Sequence, residues 1–372
     1  MKITHIHIER FRGFQNEDFE VGSLLTAIAG QNGTQKSTLL GIITQTFTLK
    51  TEDSMRVEKP LCGGSYISAF KDKFRLSPTF DKPKGHEWTI SFDAGMDDFT
   101  VESIKRTGDP NVRFWKKGAR QEGDGYISFP TIFLSLKRLV PVAEEAKIIT
   151  DDTLLTQEEL NEFKQLHNKI LIAQTPISSA TTITSKNKQS IGVSTELYDW
   201  NQNSMGQDNL GKIILALFSF KRLHDKYPRQ YKGGILAIDE MDATMYPASQ
   251  VELLKVLRKY ASKLNLQILF TTHSMSLLKA MDDLVQEVTK KEETANQAKI
   301  LYLKKVDDKI AIKQGVNFKG IQLDLNVVAE GNNRKKNRIT AYTEDKENIL
   351  FVKAILRSEE RRVGKECLRL CR

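Results

Sequence analysis

An α/β architecture is expected for this 372-residue chain: a mainly parallel sheet carrying helices, with an inserted antiparallel β layer and a helical lobe. Three observations lead to it. Residues 235–238 and 267–271 are short and fully apolar, as strands buried on both faces of a parallel sheet are. Residues 24–29, a glycine-containing turn and residues 37–47 read as strand, turn and helix. From 50 to 133 the pattern changes to short alternating strands broken by turns, clearest at 88–92 and 99–104, which places a small antiparallel layer after the first helix.

Each further element has a local reason. The opening Lys2-Ile3-Thr4-His5-Ile6-His7-Ile8-Glu9 alternates, with Ile3, Ile6 and Ile8 apolar, and reads as an amphipathic strand. Phe11-Arg12-Gly13-Phe14 then turns the chain toward the strand at 24–29. Residues 151–172 form a helical stretch, with Thr156 and Glu159 spaced as a capping box. Residues 178–190, rich in Ser and Thr, read as a loop, and 210–223 as a long apolar helix. A helix over 248–264, a charged helical stretch over 285–298 and a hairpin-like pair at 300–304 and 309–313 complete the first part. A polar, basic run at 332–338 reads as a linker, followed by a strand at 339–343 and a helix at 346–356 that open a further domain.

Composition sets limits. With 40% hydrophobic and 28% charged residues, the chain is not a disordered, collagen-like or disulfide-stapled one. Its longest apolar run, Ile213-Ile214-Leu215-Ala216-Leu217-Phe218, is far below the ~20 residues of a membrane helix. Glu9, Arg10 and Arg12 would interrupt a signal sequence, so a soluble, cytoplasmic protein without membrane association is expected. Only Cys62, Cys367 and Cys371 are present, without metal-ligand spacing, which fits a reducing compartment. The net charge of +9 permits contact with DNA or another polyanion. Lys116-Lys117-Gly118-Ala119-Arg120 and Arg334-Lys335-Lys336-Asn337-Arg338 are the basic clusters, although charge runs are usually solvated faces. Residues 357–372 hold six basic and three acidic residues, and the run from Arg357 to Cys367 resembles a translated sequencing-adapter read-through. We read 357–372 as an artefactual tail on a truncated chain; a basic helix binding nucleic acid is the competing reading.

Four constellations carry chemistry. In Gly30-Gln31-Asn32-Gly33-Thr34-Gln35-Lys36-Ser37-Thr38, backbone N–H groups at a helix N-terminus would make an anion nest. Lys36 would reach the β- and γ-phosphates of ATP and the Ser37 hydroxyl would sit on Mg2+. Gln35 stands where the pattern G-x-x-x-x-G-K-[ST] has its second glycine; it either points outward and leaves the nest intact or weakens binding. About 200 residues later, Ile235-Leu236-Ala237-Ile238 ends in Asp239 and Glu240, carboxylates at the ligand-binding end of a parallel strand. Asp239 would hold Mg2+ and Glu240 would polarise the attacking water. The strand Ile268-Leu269-Phe270-Thr271-Thr272 ends at His273, whose imidazole could hydrogen-bond the γ-phosphate. Asn203-Ser204-Met205-Gly206-Gln207-Asp208 precedes the apolar helix; it offers either an anion-facing helix N-terminus or an ordinary cap by Ser204 or Asp208.

Taken in this order, the four resemble the P-loop NTPase fold in its ABC-type ATPase head form, as in the SMC, RecF and OLD (overcoming lysogenization defect) families. The residues from Ile3 to Phe14 are similar to the first strand and Phe-Arg-Gly-Phe corner of those heads. Gly30 to Thr38 looks like their Walker A loop, Ile235 to Glu240 their Walker B strand, and Ser204-Met205-Gly206-Gln207 a divergent signature motif. Asp242-Ala243-Thr244-Met245-Tyr246-Pro247 resembles their D-loop, with Tyr246 in place of the usual histidine, and His273 matches the switch histidine. Ile339-Thr340-Ala341-Tyr342-Thr343-Glu344 resembles the first strand of the Toprim domain that follows OLD-type heads; Glu344 would be its first acid, against the alternative of an exposed strand end.

The resemblance implies an ATPase head over 1–315, with the β-rich insert at 50–133 and the helical lobe with the signature motif at 151–225. It further implies a basic linker at 316–338 and the start of a Toprim-like domain at 339–356. ATP and Mg2+ would be bound by a homodimer of heads, with Lys36 and Glu240 of one protomer facing Ser204, Gly206 and Gln207 of its partner. Closure driven by ATP would regulate an effector in a DNA-related or phage-defence system, and nuclease activity is not expected from this chain. The alternatives are a non-hydrolysing scaffold that recruits a partner on closure and the nucleotide-binding subunit of a transporter.

Overall fold

The computed structural model describes residues 1–331 apart from 68–69, 94, 106–111, 120–123, 140–147, 152–153, 174 and 185–188. Glu344, the linker residues 332–338, the strand and helix expected at 339–356 and the tail 357–372 lie outside the described residues. The chain divides into a unit Met1–Ile321 and a second unit from Gln322 onward.

Alternating burial makes β1 (Ile3–Phe11) one half of a hairpin with β2 (Phe14–Glu20), closed at Arg12, which sits at φ 52. The sequence reading has no strand here; Gln15, Asn16, Glu17 and Asp18 leave β2 only Phe14 and Phe19 facing inward. β3 (Leu25–Gly30), buried throughout, runs into helix α1 (Lys36–Thr44), which buries Leu39, Leu40, Ile42 and Ile43. After β4 (Phe47–Thr48) and the short α2 (Phe70–Lys73) come β5 (Glu87–Phe92), β6 (Phe99–Lys105) and β7 (Val112–Lys116), then β8 (Ile127–Ser128) and β9 (Thr131–Leu134).

The antiparallel layer differs from a pure insert in two ways. Among the described residues its order is β2-β1-β5-β6-β7, so the N-terminal hairpin supplies two of its strands. β9, counted within the insert from sequence, instead pairs parallel with the strand at 234–238 and belongs to the central sheet. The inner faces of β1, β2, β5 and β6 pack on α1 and on Ile28, Ile235, Leu269 and Leu301 of the central sheet, forming one apolar core.

The helical lobe follows. β10 (Ile149–Asp151) precedes α3 (Gln157–Leu171), so the helix begins later than expected, at the Thr156–Glu159 capping box. The segment expected as a loop at 178–190 is a hairpin, β11 (Ser179–Thr184) and β12 (Gln189–Ser194), which buries Ile191 and Val193 on one face and Ile183 on the other. α4 (Met205–Lys226) buries an almost continuous apolar run from Leu210 to Phe220.

β13 (Gly234–Ile238), α5 (Pro247–Lys263) and β14 (Leu266–Thr272) return the chain to the centre. The helix expected at 285–298 lies earlier, as α6 (Met275–Val288): Ser274 caps it, and Leu277, Leu278, Met281, Leu284 and Val288 make its buried stripe. β15 (Ala298–Val306) and β16 (Lys309–Lys313) form the expected hairpin. The linker expected from 316 is helical in its first part, α7 (Phe318–Gly331), with Ile321 fully buried.

Among the described residues the central sheet has the order β16-β15-β3-β14-β13-β9, parallel except for β16. The carboxyl ends of β3, β13 and β14 therefore meet at one edge, which is where ligands bind in open α/β sheets. No described helix is long and apolar enough to cross a membrane.

Two buried polar groups mark the packing. Arg12 at the hairpin turn donates to Asp81 through Nε at 3.0 Å and Nη2 at 2.9 Å. Burial pushes the Asp81 carboxyl up, but Arg12, the Ser77 N–H and His86 outweigh it and hold it at about 2. His167 on α3 is 2% exposed, lies against the Phe163 ring, and has no hydrogen-bond partner for either ring nitrogen among the described residues. Burial pushes its imidazole down to about 4.

Because the unfolded imidazole takes its proton near 6.5, His167 costs no stability above that pH and progressively more as pH falls toward 4. His167→Leu should remove about 2 kcal/mol of the stability lost between pH 7.5 and pH 5, read from urea unfolding at both values.

Candidate functional site

The site assembles at the carboxyl edge of β3, β13 and β14. Gly30 ends β3 at φ 152, Asn32 and Gly33 form an exposed crest with Gly33 at φ 79, and Thr34 is buried. The Thr34 hydroxyl donates to the Gln31 carbonyl at 2.8 Å, tightening the loop. Gln35 adopts the left-handed conformation, φ 62 and ψ 32, that glycine would otherwise supply, and no side chain caps α1. The first N–H groups of α1 thus keep the open, positive end that attracts phosphate.

The Gln35 side chain is turned toward the hairpin corner. A Cβ on Gly13 would lie 2.7 Å from Gln35 Nε2 and 2.7 Å from Ile310 Cγ1, so the glycine of the corner is required by close approach. Arg12 reaches Thr38 at 3.5 Å, a long contact on the first turn of α1. Corner and loop are therefore packed against one another, with the nest side of the loop left to its backbone.

Lys36 is 7% exposed, and Nζ donates to the carbonyls of Gly30 at 3.0 Å and Gln31 at 2.9 Å. Burial lowers its pKa, opposed by the charges of Glu240, Asp239 and Asp242. The Ser37 hydroxyl donates to Asp239 Oδ1 at 2.8 Å, and the same oxygen accepts from Thr271 Oγ1 at 2.7 Å. Asp239, only 5% exposed, is thereby tied to α1 and β14.

Glu240 follows at φ 49, with its N–H donating to Thr271 Oγ1 at 2.6 Å. Asp242 Oδ1 accepts from the His273 backbone N–H at 3.4 Å, which brings the end of β14 beside the acidic turn. The His273 side chain is exposed; burial and then the Lys36 charge lower its pKa, against Asp242, Glu240 and Asp239.

A hydroxyl and one carboxylate, both hard oxygen donors at hydrogen-bond distance, fit Mg2+, which completes its shell with water and phosphate oxygens. Among the described residues no three His, Cys, Asp or Glu side chains converge on a metal position.

The residues of the fourth motif lie at the start of α4. Ser204 caps α4 in a capping box: Ser204 Oγ accepts from the Gln207 N–H at 3.4 Å, and Gln207 Oε1 accepts from the Ser204 N–H at 2.8 Å. Gln207 Nε2 donates to the Tyr198 hydroxyl at 2.6 Å. A Cβ on Gly206 would meet the Thr244 carbonyl oxygen at 2.5 Å, so α4 starts against the turn that follows Glu240.

Two participants escaped the sequence reading. Thr271 is one of a Thr-Thr pair before His273, a hydroxyl at the end of a buried strand that could have been noticed. Arg138 is 3% exposed and its Nη2 donates to the Glu240 carbonyl at 2.8 Å; its only signal is a basic residue shortly after the apolar stretch at 131–134.

A family profile described as an AAA ATPase domain matches residues 1–188 and 137–278. No curated protein matches the chain in sequence. Among solved structures, the SMC head domain from Thermotoga maritima is 14% identical, with a TM-score of 0.46 over 85% of this chain and 100% of that one. An SMC head bound to the C-terminal winged-helix domain of ScpA is 14% identical, with a TM-score of 0.47 over 87% of this chain and 100% of that one. An SMC head with an extended coiled coil, bound to the C-terminal domain of ScpA from Pyrococcus furiosus, is 13% identical, with a TM-score of 0.46 over 88% and 99%.

The left-handed conformation of Gln35 makes its own prediction. Gln35→Val should lose about 1–2 kcal/mol, because a β-branched residue is the worst suited to that backbone, while Gln35→Gly should stay within about 1 kcal/mol of the wild type. Urea unfolding of the two variants checks this.

Proposed function

The chain belongs to the AAA ATPase domain family and is an ATPase; from that premise we propose that it hydrolyses ATP at the carboxyl edge of β3, β13 and β14 and that nucleotide binding closes a head-to-head homodimer. The observation that carries the site assignment is the meeting of Ser37 and Asp239 at 2.8 Å across 202 residues of sequence, with Lys36 beside them. A helix start, a strand end, a hydroxyl, a cation and two acids converge at the one sheet edge where a phosphate chain and its metal need them.

In this reading the N–H groups of Gly33 to Thr38 and the Lys36 ammonium bind the β- and γ-phosphates. Ser37, and Asp239 through water, would hold Mg2+, which would supply charge neutralisation at the phosphate oxygens. Glu240 orients a water for attack in line with the leaving oxygen and accepts its proton, and His273 hydrogen-bonds the γ-phosphate. The Gln35 side chain lies toward Gly13, which favours an intact nest over the non-hydrolysing scaffold.

Ser204, Gly206 and Gln207, gathered at the start of α4, would serve the nucleotide of the partner protomer. Closure would act on an attached or associated effector, in a DNA-related or phage-defence role. What supports that finer reading is the OLD-like order of motifs and the Glu344 strand in the sequence.

ATP binding and turnover by the purified chain test the proposal. Glu240→Gln should lower kcat about 10²- to 10⁴-fold with ATP affinity retained, and should accumulate an ATP-dependent dimer in sedimentation. Lys36→Ala should abolish both binding and dimerisation. Turnover equal to the wild type in both variants would place the chemistry elsewhere, and binding without turnover that Gln35→Gly rescues would restore the scaffold.

A further inference from the structure

Glu240 is the residue to which the mechanism assigns the attacking water, and its backbone is held in an unusual way. At φ 49 it occupies the left-handed region that non-glycine residues avoid, so neighbours must hold it there. Its N–H is held by the Thr271 hydroxyl at 2.6 Å and its carbonyl by Arg138 Nη2 at 2.8 Å.

Arg138 is built into the protein as few surface arginines are. Its Nη1 donates to the carbonyls of Leu134 at 3.2 Å and Ser135 at 3.1 Å, at the end of β9. Its Nε donates to Asn209 Oδ1 at 2.7 Å. Asn209 is fully buried on the second turn of α4 and donates through Nδ2 to the Ala243 carbonyl at 2.9 Å. The guanidinium and one carboxamide thus bridge β9, the turn after β13 and α4, spanning both ends of the stretch from Glu240 to Ala243.

We propose that Arg138 and Asn209 are positioning residues for the hydrolytic step: they lock the left-handed turn of Glu240 and tie it to α4, so that movement at the Ser204 end of that helix reaches the residue that orients water. The inference rests on the assignment of Glu240 in the proposed function. The planar fork matters as well as the charge, because one group must reach Asn209, the end of β9 and the Glu240 carbonyl together. A lysine carries the charge but cannot make that set of bonds.

The roles predict a split between kcat and KM. Arg138→Gln and Asn209→Ala should each lower kcat about 10²-fold, the scale of a small misplacement of a catalytic group, with KM for ATP within about threefold of the wild type. Arg138→Lys should not restore kcat. In a Glu240→Gln background, adding Arg138→Gln should cost less than about threefold in the residual single-turnover rate, because the group it positions is already lost.

Three results would overturn the inference. One is wild-type kcat in both Arg138→Gln and Asn209→Ala; another is recovery of kcat by Arg138→Lys, which would make charge alone sufficient. The third is an undiminished loss in the Glu240→Gln background, with melting temperature, KM and kcat all falling together, which is a structural role. A wild-type protein that binds ATP without turning it over fails at the earlier step and removes the ATPase site assignment together with this one.

Discussion

Asp239 is a carboxylate 5% exposed at the end of a strand whose other residues are all apolar. Such a group is costly to bury unless donors meet it, and here two hydroxyls do, Ser37 from α1 and Thr271 from β14. Three elements distant in sequence are consequently held in one register by a single oxygen. The Thr271 hydroxyl donates to Asp239 and accepts from the Glu240 N–H, so the same contact also fixes the start of the acidic turn. Satisfying the buried carboxylate and setting the geometry of the acidic turn are one arrangement.

The antiparallel layer serves that arrangement from the other side. Its inner face covers α1, and its hairpin corner is set by Arg12 on Asp81, by the Ile310 N–H donating to the Gly13 carbonyl at 2.8 Å, and by the Gln35 side chain over Gly13. Arg12 thus turns a potentially free surface charge into a paired one with Asp81, whose side chain is 2% exposed. The loop from Gly30 to Lys36 is packed from behind, and the Gln35 side chain is turned to that packed side.

The parts legible in the sequence are those whose cause is local. The apolar runs of β13 and β14, the Thr156 capping box, the glycine-bearing loop and the acids after Ile238 each announce themselves within a few residues. The missed parts depend on pairing over long separations. β9 looks like another member of the insert until its parallel partner β13, about a hundred residues on, is known. The Ser/Thr-rich segment at 178–190 looks like a loop because its composition hides Ile183, Ile191 and Val193, which are buried on the two faces of a hairpin. β2 is short of apolar residues because one of its faces is solvated.

The same distinction runs through the site. Lys36, Ser37, Asp239, Glu240 and His273 follow a spacing because each sits at a fixed offset from a strand end or helix start. Arg138 has no such offset, since its work is to gather carbonyls and an amide from segments about 70 and 100 residues away. A buried guanidinium is favourable only when its donors are met, and burial lowers the pKa of Arg138 to about 10 even with Asp239, Glu240 and Asp242 nearby. The side chain is held in place by acceptors rather than by charge pairing alone, because its direct partners are carbonyl and carboxamide oxygens. Directional acceptors of that kind fix the orientation of a planar group more tightly than a diffuse Coulomb attraction does, and orientation is what a residue in a left-handed turn requires of its neighbour.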